Sequence, residues 1–296
     1  MSATTRALGC TFVCAIVLLR PAPLRAQRDS ASLDSLARVV SIASARFADR
    51  RVASANGYRR IGPDFPGMGE HWLNAGVLLA GTVDAEHPAL LIYADLHGAP
   101  TLLGVGFVAT TRADEALHGA PGWPDAWHEH SGLLSDESGV SPGTKAPSDT
   151  HVWVLHVWTR LANTGGRFAA DNWALPFERA GLRAPSSLDV DAARALSLLS
   201  GGDVYLRDLL SDARLRTEAN AGQVDSVLTR TRTRVGRIAS TSAPSRTLSA
   251  DALAALRDEW SSLERSLGAT LGVDVARYLA PPHMSAGAAH HHEASR

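Results

Sequence analysis

The sequence predicts an α+β protein: a small antiparallel sheet packed by an N-terminal helix and followed by a helical C-terminal region. Three observations carry that expectation. Apolar residues recur at steps of three and four between Leu33 and Phe47, and again from Asp189 to Leu267, the period of helices buried on one side. Short runs rich in β-branched and aromatic residues, Ala89–Ala94, Thr101–Thr110 and His151–Thr159, fill the middle of the chain. Six of the seven tryptophans lie between Trp72 and Trp173, which marks that span as the core of a first domain.

In chain order, Arg6, the apolar run Ala7–Leu19 and the small Ala26 before Gln27 read as a secretory signal peptide over residues 1–26. The run is shorter than the roughly twenty apolar residues of a membrane span. The expected mature protein is periplasmic or secreted and has no integral membrane span. Both cysteines, Cys10 and Cys14, fall inside this segment. Cysteine nucleophiles, zinc–cysteine sites and disulfides are therefore excluded from the mature chain. With 29 basic and 30 acidic residues, the charge balance offers no footprint for nucleic acid. The remaining chain divides into a Trp/His-rich α+β domain (27–185), a helical region (186–280) and a His-rich tail (281–296) expected to be disordered.

Ser32 caps a first helix that runs through Asp49-Arg50-Arg51 to Asn56-Gly57. Gly57–Asn74 then packs four glycines, two prolines, a tyrosine, a tryptophan and a histidine into a stretch that reads as an irregular loop. Ala89–Ala94 and Thr101–Thr110 read as strands of a hairpin, with Leu102, Gly104, Gly106 and Val108 on one face. Two glycines at alternate positions leave a gap there for a large group, an aromatic side chain or a ligand. Gly119–Thr150 reads as one long loop carrying Trp123, Trp127, His128 and His130. His151–Thr159 is the best strand, apolar on both faces and so central in its sheet. Two long helices, Ala221–Ile238 and one capped by Ser249, form an antiparallel pair.

Several boxes in this chain come in an order that resembles a family of uncharacterised exported bacterial proteins. They are Gly57-Tyr58-Arg59, Met68-Gly69-Glu70-His71-Trp72, Pro88-Ala89-Leu90-Leu91-Ile92-Tyr93 and Gly104-Val105-Gly106-Phe107. Leu155-His156-Val157-Trp158 and Asn163-Thr164-Gly165-Gly166-Arg167-Phe168 with Asn172 complete the set. Gly106 stands where the family has glutamate and Thr164 where it has proline. The resemblance brings no reaction with it and points only to the place of the site.

That place is the meeting of the 57–74 stretch with the 151–159 strand. Neutral imidazole is the commonest protein ligand for transition metals. His71 and His156 are the leading candidates to hold a divalent transition metal, with His128 and His130 as further donors. A small-molecule pocket lined by Tyr58, Glu70, Trp72 and Trp158 beside the same histidines is the second reading. A hydrolase or oxidoreductase using those histidines, with Glu70 or Asp171 carrying protons, is the third, and a structural role the fourth. No His-Glu-x-x-His helix, nucleophile elbow or phosphate loop is written in the chain.

Overall fold

A computed structural model describes residues 33–112, 123–124, 126–130, 150–242 and 245–279. Six antiparallel strands form one sheet in the order β1-β2-β3-β4-β6-β5. They are β1 (Tyr58–Phe65), β2 (Gly69–Asn74), β3 (Leu90–Leu96), β4 (Ala99–Arg112), β5 (His128–His130) and β6 (Thr150–Trp158). Helices and sheet together make an α+β fold, as the sequence predicts. The expected signal peptide, the Asp136–Asp149 part of the long loop and the His-rich tail lie outside the described residues. Among the described residues no helix is long and apolar enough to cross a membrane.

The N-terminal helix is broken into pieces. Helix α1 (Leu33–Ser44) passes into a 3-10 turn at Ala45–Ala48, and a separate α2 (Arg50–Ala55) follows. Asp49 makes the break: its backbone is extended, and its side chain accepts from Arg51 N at 2.8 Å as the N-cap of α2. Gly57, with φ +90°, then turns the chain into the sheet, the left-handed exit expected at Asn56-Gly57.

The stretch read as an irregular loop is instead a β-hairpin. Tyr58 pairs with Asn74 and Phe65 with Gly69, around an irregularity between Ile61 and Asp64. Its glycines serve the turn and the bulge. Gly69 has φ +88°, and a Cβ there would collide with the Tyr93 carbonyl. Asn74 ends the hairpin by capping the short α3 (Ala75–Ala80), accepting from Val77 N at 3.2 Å. The long loop also contains an element not foreseen, the edge strand β5, which pairs His128 with Val154 and His130 with Val152. β6 therefore lies between β4 and β5, and Val154, Leu155, His156 and Val157 are all buried.

The sheet curves so that side chains of non-adjacent strands meet on one face. His71 on β2 and His156 on β6 are separated by two intervening strands, which in a flat sheet would put them about 14 Å apart. Their ring centroids are 5.5 Å apart. Bulges add twist and bend, and Leu103 is the extra residue of one, opposite the Ile92–Tyr93 step. That bulge puts Leu102 on the face opposite Gly104, correcting the expected alternation. Leu102 joins Tyr93, Val105 and Phe107 on the convex side, whereas Leu103 packs with Ile92 and Trp158 on the concave side.

The two faces have different covers. On the convex face Leu91, Tyr93, Val105, Leu155 and Val157 meet Leu36, Ala37, Val40 and Phe47 of the N-terminal helical segment. The concave face holds two apolar groups. Leu73, Leu90, Val108 and Val154 sit with Val77 and Leu78 of α3, and Phe65, Ile92, Leu103 and Trp158 sit with Leu175 and Tyr205. Beyond the sheet come α4 (Leu175–Arg179), α5 (Val190–Ser197), α6 (Gly202–Asp212), α7 (Ala221–Ser242), α8 (Ala250–Leu271) and α9 (Ala276–Leu279). Their own core includes Leu196, Leu210, Val224, Leu228, Val235, Leu256, Trp260 and Leu263. Arg179 anchors this region to β1 by donating to both Asp64 carboxylate oxygens, at 2.9 and 2.8 Å.

Candidate functional site

His71 and His156 project from β2 and β6 onto the concave face, between its two apolar groups. They are 2% and 0% exposed. Period-two alternation puts both there, and the curl brings them together. The His71 ring stands edge-on to Phe65 with centroids 5.4 Å apart, and Trp158 flanks His156 at 5.9 Å. His128 arrives from the edge strand, its ring 5.0 Å from that of His156. The side chain of His130 lies outside the described residues.

Gly106 is the direct cross-strand partner of His156. A Cβ on Gly106 would lie 2.9 Å from Leu90 Cβ and 3.4 Å from His156 Cδ2. A Cβ on Gly104 would lie 2.6 Å from the Val157 carbonyl. The glycine gap is therefore filled by Leu90, the His156 ring and the backbone of β6.

His156 has a defined tautomer. Its Nδ1 lies 2.7 Å from the Ala170 carbonyl oxygen, which can only accept, so Nδ1 carries a proton. In the neutral ring Nε2 is then the atom with the lone pair. A histidine whose Nδ1–H is held by a carbonyl is the usual arrangement behind a metal-binding Nε2. The neighbouring Ala169 carbonyl accepts from Trp158 Nε1 at 2.7 Å, so one short segment orients both rings. Backbone carbonyls have no sequence signature, and nothing in the chain could have pointed to Ala170.

Ring spacing can be compared with coordination geometry. A metal bound to an imidazole nitrogen at about 2.0–2.1 Å lies about 3.2 Å from the ring centroid. Two such ligands at a tetrahedral angle have centroids about 5 Å apart. The 5.0 and 5.5 Å spacings about His156 match that value. As placed, no group of three or more His, Asp or Glu side chains among the described residues is arranged to hold a metal. His71, His156 and His128 form a chain through His156.

Three of the four expected pocket residues, Tyr58, Glu70 and Trp72, face the opposite way. Glu70 and Trp72 flank His71 in sequence and so point to the convex side. There the Glu70 carboxylate binds Arg50 at 3.0 Å and Arg60 at 2.9 Å, and Trp72 Nε1 donates to it at 3.3 Å. The Arg50 guanidinium also lies over Tyr93, 5.3 Å from the ring centroid. Tyr58 is buried on that side with its hydroxyl donating to Pro88 O at 2.7 Å, and burial pushes its pKa up to about 12. Tyr58, Glu70 and Trp72 therefore tie the helical segment and loops to the sheet and share no pocket with the histidines. Of the expected pocket residues, Trp158 alone is on the histidine side. Asp171 directly follows Ala170, and its carbonyl accepts from Asn163 Nδ2 at 2.6 Å.

Comparison with protein-family models, with curated proteins and with solved structures found no match.

Proposed function

We propose that this protein binds a divalent transition-metal ion on the concave face of its sheet, through His71 and His156 with His128 as a third donor. The observation that carries the reading is the His156 ring, set at coordination spacing from two other imidazoles while its Nδ1 proton is held by Ala170. Burial favours an ion over an organic ligand. A drug-sized molecule fills several hundred cubic ångströms, whereas His71 and His156 are packed among Phe65, Leu90, Ile92 and Trp158. An ion needs only that imidazoles turn toward one point. His128, on a strand of three residues at the sheet edge, is the donor placed to make that movement.

A catalytic reading has less support, because Glu70 is engaged by two arginines on the far face. The N-terminal 26 residues favour export, where such a site would meet metal ions outside the cytoplasm. The test is elemental analysis of protein lacking 281–296, after zinc supplementation and gel filtration. We expect about one metal per chain, lost in His71→Ala and His156→Ala and weakened in His128→Ala. A metal-free wild-type protein, or stoichiometry unchanged in the His156→Ala variant, would overturn the reading.

A further inference from the structure

A groove of about 840 Å³ opens between α1 and the chain that follows β6, lined on one side by Asp34, Arg38 and Ser41 and on the other by Arg160 and Arg167. Three arginines and one aspartate give its wall a local charge of +2 (3 − 1), on a chain whose formal net charge is −1. We infer that this groove binds a small multivalent anion, one bearing phosphate or several carboxylates.

The arginines stand on ordered supports. Arg38 follows Leu36 and Ala37, which are buried against the sheet. Arg160 N donates to Leu103 O at 3.1 Å, and Arg167 O accepts from Trp158 N at 2.9 Å, so both stems are tied to strand ends. Asn163 shapes the lip between them, donating to Asp171 O at 2.6 Å and accepting from Gly165 N at 2.9 Å. Guanidinium groups suit oxyanions, which they bind bidentately.

The groove already contains a carboxylate. Arg167 Nη1 donates to Asp34 Oδ1 at 3.2 Å. Among the described residues Arg167 has an acidic partner in this groove, whereas Arg38 and Arg160 have none. Asp34 is 82% exposed and its bond is screened by solvent, so an incoming dianion can displace it. Asp34 is therefore a built-in competitor, and removing it strengthens binding. No histidine lines this groove; Trp158, which lines it, also packs against the His156 ring.

The experiment is isothermal titration of the full chain with pyrophosphate and, separately, with citrate, at low and at matched high sodium chloride. Binding of one anion per chain is expected, weakened about fivefold by each of Arg38→Gln and Arg160→Gln and strengthened up to about fivefold by Asp34→Asn. The exposed Arg230→Gln change on α7 and the His71→Ala change should leave it unaltered. Preference between the two probes assigns the ligand to the phosphate or the carboxylate class. No saturable binding at low salt, an equal loss in Arg230→Gln, or no gain in Asp34→Asn would each overturn the proposal. Loss in His71→Ala would do the same, by assigning the anion to a bound metal.

Discussion

Gly106→Ala tests the curl of the sheet, and with it the convergence of the histidines. The added Cβ would stand 2.9 Å from Leu90 Cβ, 3.0 Å from Leu90 Cδ1 and 3.4 Å from His156 Cδ2. Carbon atoms pack best about 3.5–4.0 Å apart, so the Leu90 contacts are short by roughly half an ångström or more. Leu90 is 1% exposed and its Cβ belongs to β3, so relief requires the two strands to part. Overpacking of this kind costs about 1–3 kcal/mol. For a chain of this size that is a fall of about 2–12 °C in Tm. The matched control is Gly222→Ala in α7, where a Cβ meets nothing within 4 Å. That change should be neutral or stabilising by up to about 1 kcal/mol. Urea unfolding followed by tryptophan fluorescence, with calorimetry alongside, measures both. If Gly106→Ala is as well tolerated as Gly222→Ala, then Leu90 does not press on β4. The curl that unites His71 with His156 would be wrong with it.

Two further outcomes follow from the same structure. Burial raises the pKa of Tyr58 to about 12 and that of Tyr93 further, so stability from both is intact below pH 10 and lost as pH climbs through about 12. An ultraviolet titration should show these two of the four tyrosines ionising late, together with alkaline unfolding; four tyrosines titrating near the ordinary value would contradict their burial. Ser249 Oγ accepts from Ala252 N at 3.1 Å as the cap of α8, and Ser249→Ala should cost about 1 kcal/mol in urea unfolding with native circular dichroism retained. An unchanged midpoint would show that the cap contributes nothing.

How much of the site was legible depends on which local signals survive. The steps Leu33, Leu36, Val40 located α1, but the break at Asp49 was hidden because Arg50-Arg51 continue a helical composition. Gly57–Asn74 read as a loop because four glycines and two prolines mask a hairpin. Those residues serve its ends and its bulge, and between them Glu70, His71 and Trp72 alternate as in any strand. Recognised as a strand, that segment already separates Glu70 and Trp72 from His71 by parity alone. The groove arginines gave no warning, since Arg38 lies more than a hundred residues from Arg160 and Arg167 and arginine is nearly the only basic residue used.

Local pattern by itself determined the α+β class, the helical C-terminal half, the cap at Ser249 and the turn after β6. Each depends on neighbours within a few residues, whose periodicity and capping chemistry are written along the chain. Tertiary structure alone decided that His71 and His156 lie 5.5 Å apart across two strands, that Ala170 O holds one ring, and that Leu90 fills the space at Gly106. Those facts depend on sheet curvature, a sum of small twists and bulges over four strands, and no short window of sequence contains that sum.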